Sequence, residues 1–179
     1  MGLTILSAGR ASLAAQARPV FDGTWQLASV AGDSQRVAIV AASGDAAFRT
    51  GDMGSGWGNT LSWSQRDGRL VLEYPYFAAY DLMAPLHYEF ALDGREVVNE
   101  VTIGPERTRL LTRASWSGDT LMITTRQPVP REVAPAGEMA EVRRALVLAS
   151  NDTLMITTTR VGVAGAPADV VHSMYVRKR

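Results

Sequence analysis

The chain has 179 residues, enough for one domain of ordinary size whose core needs neither disulfides nor a structural metal. Eighteen Lys and Arg balance eighteen Asp and Glu, so the large single-sign charge that recruits nucleic acid or anionic membrane is missing. The lack of cysteine excludes thiolate catalysis, thiolate metal sites and disulfide scaffolds, and leaves His87 and His172 as the two residues for imidazole chemistry.

Residues 1–17 are small and apolar with one charge, Arg10, and Arg18-Pro19 closes the segment. Ala15-Gln16-Ala17 fits a small-x-small cleavage site, but no basic residue precedes Leu3-Thr4-Ile5-Leu6 and Arg10 interrupts the apolar part. Residues 1–20 therefore read either as an incomplete signal peptide or as a retained N-terminal arm. No apolar run approaches the ~20 residues that a spanning helix needs.

From Phe21 onward the pattern is alternation of period two between turn residues, as half-buried strands require. Segments 24–30, 36–42 and 46–50 open the domain. Segments 61–65 and 69–74 flank Asp67-Gly68 and should pair as a hairpin. Leu86, Tyr88, Phe90 and Leu92 share one face of the next strand, His87 and Glu89 the other, before the turn at Asp93-Gly94. Segments 96–103, 109–116 and 120–125 continue the meander, and 143–149, 153–160 and 170–177 complete it. Pro128, Pro130 and Pro135 place 127–137 in an exposed loop. About eight to ten strands predict an all-β, antiparallel, lipocalin-like barrel over residues 21–179, whose closure hides its edges. The heptapeptide 119–125 recurs unchanged at 152–158, which reads as two structurally equivalent hairpins.

Four stretches together carry a resemblance: Phe21-Asp22-Gly23-Thr24-Trp25, Asp93-Gly94-Arg95-Glu96-Val97-Val98-Asn99, Ala114-Ser115-Trp116-Ser117-Gly118-Asp119-Thr120-Leu121 and Tyr175-Val176-Arg177-Lys178-Arg179. With them the chain resembles the uncharacterised, exported lipocalin-like β-barrel proteins of Gram-negative bacteria. That resemblance implies export to the periplasm and a Trp25 that plugs one end of the barrel, with Gly23 permitting close backbone approach. It implies no catalytic residues.

The candidate sites are few. His172 shares a strand face with Val170, Met174 and Val176 and could be an axial haem ligand, in which respect the chain resembles nitrobindin-like haem barrels. Gln26-Leu27-Ala28 departs from the glycine-rich continuation of those proteins, so no cofactor is expected. His87 and Glu89 could hold a metal or act as an acid–base pair given a third group, but a solvated outer face explains them and no metal is expected. Arg107, Arg109 and Arg113 could form a carboxylate clamp, or lie on the surface of a hairpin. Residues 52–59 look superficially like a phosphate loop but lack the Lys and the following helix, so they read as a wide loop with Trp57 as an exposed anchor. Residues 74–85 concentrate aromatics and Met between two prolines in a connection between strands, either a lid or a protein contact surface.

Surplus apolar material outside the strands, with little convergent polar chemistry, points first to a non-enzymatic accessory subunit. It would be periplasmic, extrinsic to the membrane without spanning it, and docked onto a larger membrane protein complex. Leu3, Ile5, Leu6, Trp57, Tyr76, Phe77 and Tyr80 would make the contacts, and a bacterial photosynthetic reaction centre with its antenna is one such assembly. The alternatives are a carrier of a small apolar ligand inside the barrel, with haem less favoured, and an enzyme using His87 or His172.

Overall fold

A computed structural model describes residues 18–32, 38–39, 48–49, 56–78, 81–103, 106–128, 137–161 and 168–179, with side-chain detail for all of these except 32, 38–39, 48–49, 76–78, 81–85, 102–103 and 106. The described residues form twelve strands and no helix: β1 (Gly23–Gly32), β2 (Ala38–Ile39), β3 (Phe48–Arg49), β4 (Thr60–Arg66), β5 (Arg69–Ala78), β6 (Asp81–Ala91), β7 (Glu96–Ile103), β8 (Glu106–Ser117), β9 (Thr120–Pro128), β10 (Met139–Ser150), β11 (Thr153–Val161) and β12 (Asp169–Arg177). Ten of them make one antiparallel sheet in the order β6-β5-β4-β1-β12-β11-β10-β9-β8-β7, and β2 and β3 pair separately. The expected barrel is therefore present, with consecutive strands as neighbours except where β1 joins both β4 and β12. That junction is staggered around Trp25, which lies opposite Leu61 on one side and Arg177 on the other.

The two ends of the sheet, β6 and β7, meet without a continuous ladder. A side chain bridges the seam. Asn99 Oδ1 accepts from the Glu89 amide at 2.7 Å, while Asn99 Nδ2 donates to the Glu89 carbonyl at 2.9 Å and to Thr112 Oγ1 at 2.8 Å. A carboxamide offers one acceptor and two donors, so it imitates the peptide group that a paired strand would have presented.

Inward-facing residues alternate along the strands that carry most of the core, which is why it can be read by parity: Leu70, Leu72 and Tyr74 on β5; Leu86, Tyr88 and Phe90 on β6; Leu121 and Ile123 on β9; Leu154 and Ile156 on β11. The repeated heptapeptide follows this rule twice. Leu121, Ile123 and Thr125 point inward on β9, and Leu154, Ile156 and Thr158 do so on β11, with β10 between them.

One end of the barrel is a packed floor, beside the turns at Asp67-Gly68, Asp93-Gly94, Gly118 and Asn151-Asp152. Trp25 is fully buried there and donates its indole N–H to the Phe21 carbonyl at 2.9 Å, while the Phe21 ring stacks on Trp116 at 5.8 Å. Arg177 lies over the Trp25 ring at 4.2 Å and donates to the Asp22 carbonyl. A Cβ at Gly23 would come within 2.5 Å of Arg177 Nη1, and its φ of +117° disfavours any other residue, so the expected close approach is real. The last residues of the 1–20 segment also pack on their own barrel. Arg18 sits over Trp116 at 5.8 Å and the Pro19 carbonyl accepts from Gln65.

Residues 74–85 are not the irregular connection expected from their prolines. β5 runs on to Ala78 and β6 begins at Asp81, with Tyr76 opposite Met83 and Phe77 opposite Leu82, so the stretch is a tall hairpin. Pro75 falls at the irregularity between Tyr74 and Tyr76, where the ladder needs no amide donor, which is how the strand tolerates it. Tyr80 lies outside the described residues, as do Leu3, Ile5 and Leu6, and only the backbone of Tyr76 and Phe77 is described.

Candidate functional site

Above the floor the interior changes character. β10 carries Arg144 on the same face as Leu146 and Leu148, so its side chain is directed into the barrel and is buried. The register sets Arg144 between Ile123 on β9 and Thr158 on β11, and Thr158 opposite Val171 on β12, one inward step from Ser173. Burial, and secondarily the charge of Arg160, lowers the Arg144 pKa to about 10, against the opposing pull of Tyr74, Tyr88 and Tyr175. Arg160 is held nearer the mouth by Asp169 at 3.2 Å.

Residues 56–59 fold into this space. The expectation that Trp57 is an exposed anchor is wrong: the ring is buried inside the barrel, 4.2 Å from the Arg144 guanidinium, edge-on to Trp63 at 5.4 Å and tilted against Phe90 at 6.2 Å. The reversal needed to insert one indole is made by Gly56 and Gly58, with φ of +78° and +79°. A Cβ on Gly56 would lie 3.1 Å from Arg144 Nη2 and 3.7 Å from Arg160 Nη2, so the backbone itself rests on both guanidinium groups. Tyr175 donates its hydroxyl to the Gly58 carbonyl at 2.8 Å, and the Leu27 amide donates to the Asn59 carbonyl at 2.7 Å.

The rest of the wall is aromatic and partly polar. Tyr74, Tyr88 and Phe90 stack in sequence at 5.8 and 6.4 Å, with the two hydroxyls 3.3 Å apart. Desolvation raises the Tyr88 pKa against the hydrogen bond from Tyr74. Three buried donors around this space have no hydrogen-bond partner among the described residues: Thr158 Oγ1, Ser173 Oγ and Trp63 Nε1. Buried polar atoms are normally satisfied, so the three orphaned donors beside the buried guanidinium are a set that an acceptor-rich guest would complete.

The other expected positions lie on the outer wall. His172 points away from the core because Val171, Ser173 and Tyr175 take the inward parity, and its Nδ1 stands 3.1 Å from Thr157 Oγ1. It faces solvent, not a haem pocket. His87 is exposed as expected, and the missing third group is Glu73, 3.1 Å from Nδ1, with Glu89 3.6 Å from Nε2 on the other side. The two carboxylates address opposite edges of the ring, an ion-pair ladder and not a converging ligand set. Among the described residues no group of three His, Asp or Glu is arranged to hold a metal. Arg107 and Arg109 flank Glu100 at 4.0 and 3.9 Å, and Arg113 shares Glu96 with Arg126, so these three arginines lie on the hairpin's outer surface, the alternative to a clamp. Among the described residues the buried arginine is Arg144, which sequence reasoning passes over; its parity with Leu146 and Leu148 is the signal that identifies it. At the β6–β7 seam an open recess of about 360 Å³ is lined by Arg69, Glu89, Arg95, Glu96 and Val97, and its charged walls make it a surface feature.

No protein-family model and no curated protein matches the chain. Solved structures do match. The crystal structure of a point mutant of the fluorescent protein UnaG superposes with a TM-score of 0.52 at 19% identity, covering 89% of this chain and 96% of that one. At that identity the likeness establishes the fold alone: the chain is an all-β, antiparallel, nearly closed ten-stranded barrel.

Proposed function

We propose that the protein is a non-enzymatic carrier of a small apolar ligand with an acidic group, held inside the barrel with that group on Arg144. The observation that carries this reading is the buried guanidinium facing the orphaned hydroxyls of Thr158 and Ser173. The apolar side chains above the Trp25 floor suit a hydrocarbon or ring system, and the charged upper wall suits one acid. The placement of both imidazoles on the outer wall supports binding over catalysis. Docking onto a membrane complex as an accessory subunit loses one of its anchors, because Trp57 is inside the barrel, and nothing in the fold or the comparisons supports a reaction-centre subunit.

A matched pair of dyes tests the carrier: 8-anilino-1-naphthalenesulfonate and N-phenyl-1-naphthylamine, which share a ring system and differ in the sulfonate. Both should brighten on binding the barrel, the sulfonate being favoured at least about tenfold, the range of a hydrogen bond to a charged group. In Arg144→Met the preference should vanish while the neutral dye still binds. Failure of both dyes to bind the folded protein would remove the carrier; an unchanged preference in Arg144→Met would remove Arg144 as the anchor.

A further inference from the structure

We propose that Met155, His172 and Met174 form a binding site for a soft monovalent cation, copper(I), on the outer wall of β11 and β12. The site lies outside the barrel interior, so it stands or falls independently of the carrier reading.

Parity brings the three side chains to one face. Leu154 and Ile156 take the inward positions of β11, and Val171, Ser173 and Tyr175 those of β12, so Met155, His172 and Met174 face outward. Register then sets them side by side. Met155 is directly opposite Met174, and His172, two residues before Met174, is opposite Thr157, two residues after Met155. Cross-strand neighbours of this kind hold their Cβ atoms about 5 Å apart, and diagonal ones about 7–8 Å, so one imidazole and two flexible thioethers can converge on a single ion. His172 is exposed and both methionines are half-buried, which leaves the donors open to an ion from solvent.

The imidazole is already oriented. Its Nδ1 is 3.1 Å from Thr157 Oγ1, and the tautomer that donates this bond leaves Nε2 as a bare lone pair. A histidine ligand characteristically has its ring fixed in this way by a partner on the other nitrogen. The donor set selects the metal. Thioethers and imidazole suit copper(I), whereas magnesium, calcium and manganese need carboxylate or carbonyl oxygens. The residues opposite the three on the outer neighbouring strands are Val147, Ser29 and Ala31, none of them acidic. The chain has no cysteine to compete for such an ion.

The repeated heptapeptide supplies an internal control. Met122 holds the place in β9 that Met155 holds in β11, and it too is outward and exposed, but the residues opposite it are Ser115 and Ala145. The same local sequence therefore gives a solitary thioether in one copy, and in the other a thioether paired with Met174 beside an imidazole.

Silver(I), which shares the preference for soft donors and is stable in air, is titrated into the full chain carrying isotope-labelled methionine methyl groups, assigned by single Met→Leu variants. One equivalent should shift the Met155 and Met174 methyl signals and the His172 Nε2 signal, and leave Met122 and Met139 in place. Copper(I) kept reduced by ascorbate should displace the silver, and excess zinc(II), offered a single nitrogen donor, should not. His172→Ala and Met174→Leu should each weaken silver binding at least about tenfold, the least that loss of a ligand costs when loss of its supporting partner already costs that much. Met122→Leu and His87→Ala should leave it unchanged. No binding, or shifts at other methionines with Met155 and Met174 unmoved, would overturn the site. So would undiminished affinity in both His172→Ala and Met174→Leu. Zinc(II) bound as tightly as silver would overturn the soft-cation class. The titration of the natural chain locates the ion even if a variant does not fold.

Discussion

The Arg144 guanidinium stands 4.2 Å from the centre of the Trp57 ring, inside a barrel whose lower half is apolar. A cation kept there opposes folding. Its pKa is lowered to about 10, chiefly by desolvation and secondarily by Arg160, so the folded state disfavours the charged form. Because the folded pKa lies below the unfolded one, the unfolded chain binds more protons above about pH 10, so the penalty is fully present at neutral pH and relieved only above pH 10. Arg144→Met should therefore stabilise the ligand-free protein by about 1–3 kcal/mol, read as a higher urea midpoint with an unchanged m-value, while it abolishes selectivity for anionic dyes. A lower midpoint would mean that the guanidinium holds the fold together and is not kept for a guest.

Tyr88 titrates in the opposite sense. Desolvation raises its pKa above 10, so the folded state holds the phenolic proton longer than the unfolded chain does, and the resulting stability is complete below pH 10 and lost as the pH climbs through the folded value. The hydrogen bond from Tyr74 lowers that pKa, and Tyr74→Phe should push it higher still. An alkaline absorbance titration of the phenolates should show a late ionisation that is lost in Tyr88→Phe and comes later again in Tyr74→Phe. Ionisation of all tyrosines together near pH 10 in the folded protein would contradict the burial of this pair.

Much of the barrel is legible in the sequence because parity alone separates wall from core. Alternation places Leu86, Tyr88 and Phe90 inward and His87 and Glu89 outward, and the structure agrees. The Asp-Gly turns locate two hairpins, and Gly23 and Trp25 locate the floor. The site is harder to read. Arg144 escapes notice because an arginine within a strand is ordinarily solvated, although Leu146 and Leu148 on its own face place it inside. Trp57 reads as exposed because irregular loops run over surfaces, and no periodicity in Gly-Trp-Gly tells whether the indole folds in or out. The tall hairpin reads as a connection because Pro75 breaks a strand pattern, and only the partner strand shows that its amide falls at an irregularity. His172 misleads for a simpler reason: Val170, Met174 and Val176 are as apolar as Val171 and Tyr175, so both faces of β12 look like a core.

Trp25 should be the most costly side chain to truncate. It is fully buried, its indole N–H satisfies the Phe21 carbonyl, and Arg177 covers its face. Trp25→Ala should destabilise the barrel by about 3–5 kcal/mol, the range for emptying an aromatic core position, and so lower the thermal midpoint sharply. His87→Ala, in an exposed ion-pair ladder, should stay within about 0.5 kcal/mol of the natural chain. A comparable loss for the two would place the floor's strength elsewhere.

Asn99 decides whether the sheet behaves as a barrel or as an open strip. Its carboxamide supplies the acceptor for the Glu89 amide and the donor for the Glu89 carbonyl, and Thr112 Oγ1, which receives its second N–H, donates in turn to the Val97 carbonyl at 3.1 Å. Removing one buried residue thus deprives two backbone groups and a hydroxyl of partners, each deprivation costing about 1–3 kcal/mol before relaxation or water offsets part of it. Asn99→Leu keeps the volume and removes all three bonds, so it should destabilise by about 2–4 kcal/mol. Asn99→Asp keeps the acceptor but loses the donors, and sets a carboxylate against the Glu89 carbonyl; it should be no better than leucine at neutral pH and should partly recover in acid, where a protonated carboxyl regains one donor. Hydrogen exchange identifies the mechanism: the Glu89 amide should lose protection in both variants, while amides in the β1–β12 ladder, on the far side of the barrel, retain theirs. Uniform loss across the sheet would show that Asn99 supports the whole core and is not a local clasp at the seam.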